Sequence, residues 1–130
     1  MVNPGFLFHI ITESPASIAF LLNPSMTLAQ RQAHAHAVIR QYALLLLASV
    51  YIASTFLHCP PDHASRKVAA ALAFYHLGPL YRAGCRIRDG EGRVWGMEAV
   101  SGNPWVHFGA HGLCFGGLLW EWGRGVYLPS

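Results

Sequence analysis

Residues 37–57, AVIRQYALLLLASVYIASTFL, form an apolar run interrupted by one charge, Arg40. About twenty residues at ~1.5 Å each, wound as a helix, match the hydrocarbon thickness of a bilayer. A chain of 130 residues is one domain with a large surface to cover. Here 53% of residues are hydrophobic and 12% charged, roughly half the usual charged share. The composition therefore favours lipid over water as the solvent for most of that surface.

Proline and charge divide the chain into four apolar pieces, which predicts an all-α, four-helix transmembrane bundle over residues 1–130. The first piece, residues 5–22, ends at Asn23-Pro24. Ser14-Pro15 fits a helix start inside it, so this span is expected to be broken there. The second begins with Ser25 as a candidate cap and continues to His58, where Cys59-Pro60-Pro61 stops it. The third, residues 68–88, follows the turn PPDHASRK and is expected to bend at Pro79, which frees the carbonyl of Tyr75. A Gly-rich, charged loop over residues 89–103 is long enough to suggest a function. The fourth helix is expected to start at an Asn103 cap with Pro104 at N1 and to end near Trp122. Its Gly112 and Gly116 form GxxxG, a candidate contact for a homodimer.

The formal charge of +3 does not indicate nucleic acid as a partner, because no basic stripe interleaves with polar residues. The arginines set topology instead. Arg31, Arg40, Arg82, Arg86, Arg88 and Arg93 fall on one side of the bundle, against Arg66, Lys67 and Arg124 on the other. The positive-inside rule then places loop 89–103 in the cytosol, and the endoplasmic reticulum is the expected membrane. The start of the chain lacks the basic region of a cleavable signal. Three widely spaced cysteines, Cys59, Cys85 and Cys114, argue against a disulfide framework.

Polar side chains within apolar spans are costly, so they mark the bundle interior. The candidates are Glu13, Arg40, His76, Arg82, His107 and His111, with Glu98 in the loop as a reserve acid. Tyr42, Tyr75, Trp95 and Trp105 are expected to floor a substrate chamber among them. Each has a plainer reading: Arg40 snorkels to headgroups or pairs with Glu13, and His76 bonds the carbonyl freed at Pro79. His107 and His111, at i and i+4, share a helix face. Without HExxH or an acidic cluster, however, no metal is expected. Glu121, between Trp120 and Trp122, lies fourteen residues after His107, about 21 Å along a helix. It reads as an interfacial anchor, separate from the histidines. No nucleophile elbow, P-loop or dinucleotide fingerprint occurs, and no cofactor is expected. What remains is acid–base work on a lipophilic molecule, such as epoxide opening, cyclisation or double-bond isomerisation.

The segments IRQYALLLLASVYIASTF, RKVAAALAFYHLGPLYRAGCRI and NPWVHFGAHGLCF resemble small fungal four-span membrane proteins. The residues that carry the resemblance are Arg40, Tyr75, His76, Pro79, Tyr81, Arg82, Gly102, Pro104, His107 and His111. Some such proteins belong to secondary-metabolite pathways and are similar to hydrolases or cyclases that open polyketide epoxides of the aurovertin and citreoviridin polyether type. The resemblance, which covers the chain from about Pro24 onward, implies that activity. The residues themselves suggest Glu13 as the acid, His76 and His107 as base or water-positioning groups, and Arg40 and Arg82 to stabilise oxyanions. The two competing expectations are a sterol or terpene isomerase built like emopamil-binding domains, and a non-catalytic membrane scaffold.

Overall fold

The computed structural model describes residues 2–27, 33–90 and 103–124. All regular structure among these residues is helical: α1 (Pro4–Leu22), a 3-10 turn (Pro24–Thr27), α2 (Ala33–Phe56), α3 (His63–Arg88) and α4 (Pro104–Gly123). The helices alternate in direction. Each packs on its neighbour in sequence and α1 also packs on α4; the α2–α3 seam is the loosest side.

Three expectations need correction. First, α1 is not broken at Ser14-Pro15 but runs through Pro15. Pro15 costs the helix the i→i−4 bond to the Ile11 carbonyl; beside it Ser14 Oγ donates to the Ile10 carbonyl (2.6 Å) and Ser17 Oγ to the Ser14 carbonyl (2.8 Å). Second, Ser25 lies in the 3-10 turn rather than at a described helix cap. Third, α3 starts at His63, inside the segment read as a turn. Asp62 and Ser65 form a capping box there, and the Ser65 backbone N–H holds the Asp62 carboxyl below its usual pKa. The helix continues through Pro79 without a break and closes at Gly90, whose φ of 84° suits glycine alone at low cost. Asn103 caps α4 as expected, accepting from Trp105 N at 2.9 Å.

One end of the bundle is tied shut by polar groups from neighbouring helices. Asn3 Nδ2 donates to the carbonyls of Phe56 and Cys59, 2.8 Å each, satisfying the end of α2. Glu121 is 4% exposed; its Oε1 accepts from Gly5 N at 3.5 Å and its Oε2 from Arg124 at 3.1 Å. The carboxylate of α4 thus serves the free N-terminal N–H groups of α1, where negative charge is favoured. Arg66 Nε donates to the Trp122 carbonyl at 2.8 Å, closing the end of α4. Removing a buried, doubly bonded group leaves its donors unsatisfied, so Glu121→Ala is expected to cost about 1–3 kcal/mol. A thermal melt of the purified chain measures it.

Beneath these caps lies the apolar core: Phe6, Ala53, Ala69, Leu72, Ala73 and Leu118. A close helix approach is there too, between Gly5 of α1 and Gly117 of α4. These two glycines, not Gly112 and Gly116, make the tight crossing; Gly116 faces open space and Gly112 has only Leu80 nearby.

The distribution of polarity is inverted relative to a water-soluble bundle. Three histidines and two glutamates are buried, while Ile11, Leu22, Leu45, Tyr51, Phe74, Leu113 and Trp120 are exposed on all four helices. By length and composition α1 and α2 are apolar enough to cross a membrane.

Candidate active site

Midway along the bundle, each helix contributes a polar group to one cluster. His9 and Glu13 stand four residues apart on α1 and so share its inward face. Tyr75 and His76 come from α3, His111 from α4, and Ser49 and Tyr42 from α2. His9 and His76 are fully buried and Glu13 is 2% exposed.

The three imidazoles form a chain. His9 Nδ1 lies 3.0 Å from His76 Nε2, and His76 Nδ1 lies 2.9 Å from His111 Nδ1. Its far end is anchored by Ser49, whose Oγ lies 3.1 Å from His9 Nε2 and donates to the Leu46 carbonyl at 2.7 Å. That donation fixes the direction of the rest. With its proton committed, the serine oxygen accepts from His9 Nε2–H. The neutral His9 ring then offers Nδ1 as acceptor to His76 Nε2–H, leaving His76 Nδ1 unprotonated and turned to His111 Nδ1 at 2.9 Å.

These two nitrogens face Glu13. Oε1 of Glu13 is 3.7 Å from His76 Nδ1 and 3.4 Å from His111 Nδ1. Oε1 is also a buried oxygen with no hydrogen-bond partner among the described residues. The other carboxyl oxygen is engaged: Tyr75 OH donates to Oε2 at 3.4 Å and receives from Tyr42 OH at 2.8 Å. An unpartnered buried carboxyl oxygen costs free energy, so this position calls for a partner such as a water, an ion or a reacting group.

His111 connects this interior to the outside. With His107, Arg82, Arg86, Pro79 and Ala83 it lines a cleft, and the His107 and His111 rings stack 6.3 Å apart. The cleft gives water-sized molecules about 20 Å³ of room, enough for one or two waters at about 10–15 Å³ each. No family model, curated protein or solved structure matches the chain. The site therefore has to be read from its own chemistry.

Among the residues singled out in the sequence, Glu13, His76 and His111 meet directly. Tyr75 and Tyr42 adjoin them, and Arg82 and His107 line the cleft. Arg40 does not take part: it is exposed on α2, whose inward positions are Ala43, Leu46 and Ala53, and Glu13 has Tyr75 and histidines as neighbours instead. Trp105 is 54% exposed, on the outer surface of α4 rather than the chamber floor. Glu98 and Trp95 lie outside the described residues. His76 has both nitrogens occupied by other histidines and so does not bond the carbonyl freed at Pro79.

His9 and Ser49 were not legible as site residues. For His9 a signal was present. His9 and Glu13 repeat on α1 the i, i+4 spacing of His107 and His111 on α4.

Proposed function

We propose that this chain is a four-span membrane enzyme that opens an epoxide on a lipophilic, polyketide- or terpenoid-like molecule by acid–base chemistry. The observation that carries the reading is Glu13: its Oε1 is buried, lacks a partner, and lies 3.4 Å from the histidine that walls the cleft. The inverted polarity of the bundle supports a lipid setting for all four helices. In such a setting a hydrophobic substrate lies against the exposed side chains and presents only its reacting group to the cleft.

The chemistry needs few parts. Glu13 is the source of the proton that reaches the epoxide oxygen, on the His111 side of the cleft, as its C–O bond breaks. Water, or a hydroxyl of the same molecule, attacks the carbon and gives its proton to His107. Water as nucleophile yields a diol; an internal hydroxyl yields a cyclic ether isomeric with the substrate. Arg82 and Arg86, beside the cleft, stabilise negative charge that develops on oxygen. Tyr75 holds the carboxyl through Oε2, leaving Oε1 to face the rings.

Deleting the gene in its native host and profiling lipophilic metabolites tests this reading. A precursor carrying an intact epoxide is expected to accumulate. An unchanged profile would sink the proposal, and an accumulated double-bond isomer would replace it with isomerisation.

A further inference from the structure

His76 Nδ1, His111 Nδ1 and Glu13 Oε1 lie 2.9, 3.4 and 3.7 Å from one another. A triangle with those sides has a centre about 2.0 Å from every corner, the length of a Zn–N or Zn–O bond, ~2.0–2.2 Å. Two imidazoles and one carboxylate are also the donor set that holds zinc or ferrous iron while leaving positions open. We propose that these three atoms bind one divalent transition-metal ion.

The surroundings fit that assignment. Ligand histidines need a fixed tautomer, supplied by a partner on the other ring nitrogen. The chain from Leu46 through Ser49 and His9 does this for His76, leaving its Nδ1 unprotonated at the triangle. Tyr75 orients the carboxylate by bonding Oε2, and Oε1 is left without a partner. His9 also comes within ligand reach of Glu13 and His76, all three atoms falling within 4.8 Å. His9 Nδ1, however, faces the Nε2 edge of His76, whereas Glu13 lies at the Nδ1 edge. One ring cannot offer both nitrogens to one ion, so His9 is a positioning residue and His111 the third ligand. A water-sized cleft lies against His111, one of the three ligands.

The inference does not rest on the epoxide reading. With a metal bound, Glu13 is a carboxylate ligand, so metal binding and proton delivery by Glu13 are two alternative states of the same three atoms.

The test uses the full chain purified in detergent, stripped with a chelator and titrated with Zn²⁺. One zinc per chain is expected. Glu13→Gln and His111→Ala are expected to weaken binding at least about 100-fold, and His9→Ala about 10–100-fold. His107→Ala should bind like the wild type. Cobalt in the wild-type chain should give visible absorption of nitrogen–oxygen coordination, a readout that needs no variant. Absence of stoichiometric zinc and of the cobalt bands overturns the assignment. So does zinc retained by both Glu13→Gln and His111→Ala, which would mean an adventitious ion only, held by exposed histidines such as His34 or His63. Stoichiometric zinc with no epoxide turnover by either the stripped or the loaded chain refutes the proposed reaction and leaves the metal assignment standing.

Discussion

A leucine at Gly5 is expected to prevent the bundle from closing. A Cβ at this position would stand 2.5 Å from the Gly117 carbonyl oxygen, 2.7 Å from its carbon and 2.9 Å from Glu121 Cγ. Two of these contacts are backbone, which has no rotamer to escape into. The Glu121 side chain that would otherwise give way is holding Gly5 N and Arg124. Overpacking usually costs about 1–3 kcal/mol, and a clash with backbone at this distance belongs at or above the top of that range. The variant should lose the sharp thermal transition of the wild type and elute as an aggregate from a sizing column. Gly116→Ala is the control, since a Cβ there meets open space; it should melt like the wild type.

Glu13→Gln is expected to have the largest effect on turnover. The amide keeps the shape of the side chain and can still accept from Tyr75, so α1 should pack as before. It cannot release a proton, and the rings lose the one carboxylate among them. General acid–base catalysis by a positioned group contributes about 10²–10⁴-fold, and turnover should fall by that factor with an unchanged melting temperature. Activity near the wild-type level in this variant would remove Glu13 from the mechanism.

The helical pieces were legible because proline, asparagine and serine punctuate the apolar runs, and Asn103-Pro104 fixed the start of α4 to the residue. Pro15 misled. A proline that suits N1 of a new helix also sits inside this continuous one, at the loss of the single i→i−4 bond to the Ile11 carbonyl. Three of the site groups, Glu13, His76 and His111, follow from the cost of polar atoms within apolar helices. That argument says which side chains face inward, not which meet. Arg40 satisfied the same criterion and proved exposed, because a long side chain with a charged tip can leave the interior while a short carboxylate or imidazole cannot. Ser49 carried no signal in the sequence, since its role depends on a contact between α1 and α2 forty residues apart. Glu121 was legible as separate from the histidines; that it serves the start of α1 required the packing of α4 against α1.

The most direct test places the purified chain in lipid vesicles and supplies the epoxide that accumulates in the deletion strain, with H₂¹⁸O as solvent. Mass spectrometry then reads the product. The chain is predicted to convert the epoxide to a diol carrying one ¹⁸O, or to an unlabelled cyclic isomer, with no other protein present. Unchanged epoxide from vesicles whose protein is folded and helical would contradict the account.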